Sequence, residues 1–208
     1  MMYIKNPNEI EKRSFEIIMP NLKFTHGELE LPVVLRAIHT TGDYEYENIL
    51  RFKKDAVEVG IKALKEGCKI FTDTRMAYSG INKRTLESIN CSIDCFVDNP
   101  LVFQRSKEEG ITRSMAAVDI AAQNGVDIFV IGNAPTALFR IIEHIKNGTL
   151  NPKLIIGVPV GFVGAAESKE ELRKIDVPSI STVGTKGGSN VAAAILNAIQ
   201  YLAVERCL

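Results

Sequence analysis

Apolar positions recur along this chain with two different spacings. In residues 7–19, Ile10, Ser14, Ile17 and Ile18 share one face at helical intervals, and Asn6-Pro7 supplies a capping side chain and a first-turn proline. A helix to about Met19 is predicted. Pro32 opens a second through Val33, Val34, Leu35 and Ile38 toward His39, and a third runs from Lys54 to Glu66, with Gly67 as a left-handed cap. Short apolar runs predict strands at Cys68 to Thr72, Ile93 to Val97, Asp127 to Ile131, Leu154 to Val158 and Ser179 to Val183. Helical patterns fall at about Lys83 to Ile89, Thr112 to Gln123, Ala134 to Lys146, Ser168 to Ile175 and Ser189 to Glu205. Such an order predicts an α/β fold: three-layer, doubly wound, with a mainly parallel five-stranded sheet and helices on both faces. No linker or repeat divides the chain, so residues 1–208 are expected to form one domain.

Composition narrows the functional classes. Lys plus Arg equals Asp plus Glu at 25 each, so no overall field favours nucleic acid or an anionic membrane, and neither is an expected partner. An acidic ligand must therefore meet a local basic cluster. No apolar run approaches the roughly 20 residues that span a bilayer. The start, Met1 to Pro7, lacks the layout of a secretory signal. Cys68, Cys91, Cys95 and Cys207 show no C-x-x-C spacing and read as reduced, structural thiols of a cytoplasmic protein.

Glycine-rich or polar segments follow four of the predicted strands. They are Asp73-Thr74-Arg75-Met76, Gly132-Asn133-Ala134-Pro135-Thr136, residues 157–164, and Gly184-Thr185-Lys186-Gly187-Gly188-Ser189-Asn190. Ligands of open parallel sheets bind beyond the carboxyl ends of the strands, and helix N-termini offer free amides to anions. A large anionic ligand is expected there. His39, placed between an apolar helix and the Gly42 turn, is the histidine best set for proton transfer near neutral pH. His26 reads as a loop residue and His144 as a helix-end residue; neither pairs with His39 at metal-ligand spacing.

Arg36-Ala37-Ile38-His39 with Gly42-Asp43, Thr72 to Met76 with Gly80-Ile81, Thr112 to Ala117, Ile131 to Leu138, Gly157 to Ser168, and Lys186 to Asn190 occur in this order nearly end to end. Together they resemble the precorrin-8X methylmutase family, including its cobalt-precorrin-8 counterpart. The resemblance implies a homodimeric isomerase of cobalamin biosynthesis. Such an enzyme moves a methyl group from C11 to C12 of a corrin precursor, giving hydrogenobyrinic or cobyrinic acid. It implies no cofactor, with cobalt arriving only inside the substrate.

His39 falls on the family's catalytic histidine and is expected to lend a proton to the macrocycle and recover it. Arg113 and Lys186, then Arg75 and Arg36, are the expected partners of substrate carboxylates, joined by Gly187 and Gly188. Ser14, Thr40, Thr74, Asn133 and Ser189 are neutral candidates, although a bond to its own helix carbonyl is the simpler expectation for Ser14. Thr40-Thr41 and Lys186 depart from the commoner family pattern, and lysine lacks arginine's planar fork. Two other readings compete: a noncatalytic corrinoid carrier, which gives His39 no necessary role, and a nucleotide-dependent α/β enzyme. The chain lacks a G-x-G-x-x-G fingerprint after its first predicted strand.

Overall fold

Each of the five apolar runs forms a strand, and burial on both faces explains the composition of four of them, the strand at residues 92–94 being largely exposed. The computed structural model describes residues 4–206, so the readings that rest on Met1 to Tyr3 and on Cys207 lie outside the described residues. The strands are Leu50–Lys53 (β1), Lys69–Thr72 (β2), Ser92–Asp94 (β3), Ile128–Ile131 (β4), Leu154–Gly157 (β5) and Ser179–Thr182 (β6). The helices are Pro7–Ile18 (α1), Glu30–Thr41 (α2), Tyr46–Ile49 (α3), Ala56–Lys65 (α4), Arg75–Gly80 (α5), Lys83–Ser88 (α6), Pro100–Glu109 (α7), Arg113–Gln123 (α8), Pro135–Lys146 (α9), Ala165–Lys174 (α10) and Ser189–Ala203 (α11).

The sheet has six strands in the order β1-β6-β5-β4-β2-β3, not the five expected. The extra strand, β1, pairs antiparallel with β6; every other pairing is parallel. Its sequence Leu50-Arg51-Phe52-Lys53 alternates apolar with cationic and buries only one face, so it carries no apolar run. The charges also suit an edge, where they discourage pairing with another chain.

Successive residues of each inner strand feed opposite cores. Ile70, Ile128, Val130, Leu154, Ile156 and Ile180 join α1, α2, α4 and α11 on one side. Phe71, Phe129, Ile131 and Ile155 join α8, α9 and α10 on the other. Full burial of such a side chain contributes about 1.5–3 kcal/mol.

Local signals set the ends of the helices that matter for the site. Asn6 caps α1 by accepting from the Asn8 amide, with Pro7 in the first turn. α2 begins at Glu30, ahead of Pro32, because the Glu30 and Leu31 amides both donate to the Gly27 carbonyl. It ends where Gly42 turns left-handed (φ 67°) and its amide closes on the Ile38 carbonyl, leaving His39 in the last turn. Thr74 and Thr112 cap α5 and α8 by accepting from the Ala77 and Met115 amides. Because β3 and β4 lie on opposite sides of β2, the winding reverses between β2 and β4. A crevice opens at such a reversal.

Candidate active site

Beyond that reversal, four segments converge. Asp73, at the end of β2 and almost fully buried, accepts hydrogen bonds from the Gly132, Asn133 and Ala134 amides at 2.8–2.9 Å. Burial pushes its carboxyl above the ordinary range, against the pull of those amides. The contact fixes the turn after β4. Gly132 in that turn lies directly beneath the start of α11: a Cβ there would stand 2.6 Å from Ser189 Cα. The Ser189 hydroxyl in turn meets Thr74 Oγ1 at 2.8 Å.

Three recesses lie beside this junction or beside His39. The first, about 180 Å³, is lined by Arg36, His39, Thr40, Gly80, Asn190 and the outer face of α11 at Ala193, Ala194 and Asn197. The second, about 230 Å³, lies on the other side of His39, between Ser14, Ile17 and Tyr44. The third, about 420 Å³, sits in the crevice and gathers Asp73, Thr74, Arg75, Asp98, Arg113 and Asn133. The Thr74–Ser189 contact links a residue of the third to the chain neighbour of Asn190 in the first. His39 thus stands exposed on a rim between two recesses, its ring edge against Phe15 with centroids 5.6 Å apart.

The basic candidates differ in how far their charge is already committed. Arg36 is buried, donates to Glu11 at 2.7 Å and lies between the Phe15 and Tyr201 rings. Burial works against the Glu11 charge, but Arg36 and Arg206 hold its carboxyl below the usual range. Arg75 pairs with Asp98 at 2.9 Å. Lys186 donates to Asp43 at 2.5 Å and to Glu45 at 2.8 Å, and lines none of the three recesses. Hydrogen bonds to those two carboxylates hold its ammonium well above the usual lysine range. Arg113 is exposed, rests over the Phe103 ring at 5.0 Å, and has no carboxylate within ion-pair distance among the described residues. It is the candidate whose guanidinium is freest to meet an anion.

Ser14 makes the simpler bond, donating to the Ile10 carbonyl at 2.8 Å, while still lining the recess beside His39. Gly187 and Gly188 form the turn into α11; the Gly188 amide donates to the Val158 carbonyl at 2.9 Å. His26 stands 3.3 Å from the buried Glu47, and His144 stands 2.7 Å from Asp119, away from these recesses. Cys68, Cys91 and Cys95 are unbridged, buried thiols.

Asn190, Gly80 and Asn197 line the His39 recess without having been singled out. Their signal was present: residues 190, 193, 194 and 197 form a small-and-polar stripe at helical spacing within an otherwise apolar helix. Asp98 and Phe103, the partners of Arg75 and Arg113, were unreadable because α7, which carries Phe103, had not been expected.

Comparison with known proteins accords with this arrangement. A family model, CbiC: Precorrin-8X methylmutase, matches residues 9–202. The cobalt-precorrin-8 methylmutase of Salmonella typhimurium is 48% identical, covering 97% of this chain and 98% of that one. The precorrin-8X methylmutase of Pseudomonas aeruginosa is 39% identical, covering 98% of each. A crystal structure of precorrin-8x methyl mutase from Thermus thermophilus superposes with a TM-score of 0.89 at 39% identity, over 95% of this chain and 97% of that one. Matched over nearly its whole length in both sequence and fold, the chain belongs to the precorrin-8X methylmutase family of isomerases.

Proposed function

We propose that this chain rearranges precorrin-8X or cobalt-precorrin-8, moving a methyl group from C11 to C12 to give hydrogenobyrinic or cobyrinic acid, with His39 as the proton donor and acceptor. The observation that carries this reading is the position of His39, open to solvent on a rim between two recesses at the end of α2. The rearrangement is a sigmatropic shift, so it needs no external methyl donor or redox partner. Protonating a ring nitrogen eases migration; the imidazolium becomes neutral as it gives the proton up, and recovering that proton restores the imidazolium. A positioned general acid supplies about 10²–10⁴-fold.

Arg113 and the amides at the start of α11 meet the substrate's carboxylates, and Thr74, Asn133 and Ser189 offer neutral hydrogen bonds. We assign the protein to the cytoplasm as a homodimer. Support for a second copy is the exposed apolar side chains Ile10, Ile17, Phe24 and Tyr44, of which Ile17 and Tyr44 line a recess beside His39, and the small size of each recess for a tetrapyrrole. Among the described residues, no helix is long and apolar enough to cross a membrane.

The test follows absorbance after mixing enzyme with each substrate form. Wild type should convert at least one of them, and His39→Ala should lose about 100-fold or more in turnover while retaining its fold. Binding without a spectral change would favour the carrier reading, and an unimpaired His39→Ala would remove the imidazole from the chemistry.

A further inference from the structure

Lys169, in α10, is wholly buried, at 0% relative exposure, yet has no counter-ion. Its ammonium donates to Thr182 Oγ1 at 3.1 Å and to the Lys186 carbonyl at 2.8 Å. The Thr182 hydroxyl donates to the same carbonyl at 2.7 Å. Among the described residues no carboxylate reaches Nζ. Burial, with Arg173 one turn further along the helix, pushes the ammonium down to about 8. A buried cation without a paired anion is strongly disfavoured, and an apolar side chain of similar volume would avoid that penalty. The lysine's return is a fixed main-chain carbonyl.

That carbonyl sits at a junction. The next residue, Gly187, is pressed against the Val158 carbonyl, and its own carbonyl accepts from the Tyr46 hydroxyl at 3.4 Å. Two and three residues later come Ser189, bonded to Thr74, and Asn190, which lines the recess beside His39. The Lys186 side chain points the other way, to Asp43 and Glu45 just beyond the α2 cap. One residue is therefore anchored inward by its carbonyl and outward by its ammonium, between the His39 helix and α11.

We propose that Lys169 is a positioning residue for the rearrangement, holding the turn at 186–190 so that Ser189 and Asn190 meet the substrate beside His39. The proposal rests on the reading of that recess as the reaction site. It acts on substrate binding, because the turn presents the α11 amides rather than the acid.

Lys169→Met keeps length and apolar bulk while removing charge and donors. With the folded fraction measured by circular dichroism, KM should rise at least about fivefold while kcat per folded molecule stays within about threefold. Thr182→Val, which removes the shared hydroxyl and leaves the lysine, should raise KM about twofold or more. It decides the matter alone if Lys169→Met does not fold. A merely structural role would lower apparent kcat in step with the folded fraction and leave KM unchanged. That result, or unaltered kinetics in both variants, overturns the proposal. His39→Ala assayed in parallel separates the two readings. If it stays active, the reaction-site reading fails; if it is inactive while Lys169→Met and Thr182→Val keep the wild-type KM, only the role of Lys169 falls.

Discussion

Gly187→Ala offers a sharp test of whether the turn into α11 belongs to the site. A Cβ built on Gly187 would stand 2.1 Å from the Val158 carbonyl oxygen, and ordinary contact begins at 3.4 Å, so the turn must retreat by about 1.3 Å. The obstacle is main chain at the end of β5, which has no rotamer with which to yield. Retreat breaks the Gly188–Val158 hydrogen bond of 2.9 Å, worth about 0.5–1.5 kcal/mol. Residual overpacking adds about 1–3 kcal/mol. A total of about 1.5–4.5 kcal/mol corresponds to a fall in Tm of about 3–18 °C for a chain of this size. Such a retreat withdraws Ser189 and Asn190 from the substrate, so kcat/KM should fall about tenfold or more, chiefly through KM. The assay pairs thermal unfolding with kcat/KM, and Gly110→Ala serves as control. Gly110, unlike Gly187, has a positive φ, of 64°, at the end of α7, but a Cβ there meets nothing within 4 Å. Its cost is backbone strain of about 1–2 kcal/mol, with kinetics unchanged. Gly187→Ala with kcat/KM within about threefold of wild type would refute the argument that this turn positions the substrate.

Other expectations follow from the same geometry. Asp119, 1% exposed, accepts from Arg140 at 2.6 and 3.1 Å and lies 2.7 Å from His144 and 3.3 Å from Arg105. Burial opposes its charge, but the hydrogen bonds from Arg140 and His144 and the nearby Arg105 guanidinium hold its carboxyl below the usual aspartate range. Asp119→Asn should cost nearer 2 than the 3–5 kcal/mol or so of a fully buried pair, because both arginines are partly solvated. A depressed carboxyl stabilises fully above its unfolded value and stops doing so as pH falls through the folded one. The Tm gap between wild type and Asp119→Asn should therefore close below about pH 3.9; a gap unchanged at pH 3 would contradict this. Arg113→Ala should weaken product binding about tenfold or more in an absorbance titration, and Arg75→Ala, whose charge Asp98 already meets, by less than about threefold. The reverse order would reassign the carboxylate contact. Turnover of metal-free precorrin-8X should survive dialysis against EDTA; loss restored by a divalent metal would show a resident cofactor.

The sequence made the inner sheet legible because β4 and β5 are buried on both faces and therefore read as unbroken apolar runs. β1 escaped because an edge strand buried on one face shows only Leu50 and Phe52 between charges. α7 escaped although Asn99-Pro100 repeats the Asn6-Pro7 signature, since only Val102 of that helix is buried and no apolar stripe follows. Lys186 shows what residue type cannot convey. A lysine in a glycine-rich turn reads as an anion binder, yet Asp43 and Glu45, more than 140 positions earlier, occupy its charge. Arg36 and Arg113 look equivalent as sequence, and only packing separates a guanidinium held by Glu11 from one left open. The setting of His39 was legible because a helix end and a left-handed glycine follow it within three residues, while the exposure of its ring came only from packing.

Asp73 grips the turn after β4 solely through main-chain amides. A clamp of that kind is indifferent to what Asn133 and Ala134 carry beyond their Cα atoms. Over evolutionary time Asn133, which lines the crevice, is free to change its chemistry and adapt to different substituents on the macrocycle, whereas the Ala134 methyl is packed into the core. Gly132, wedged beneath Ser189, has no such latitude.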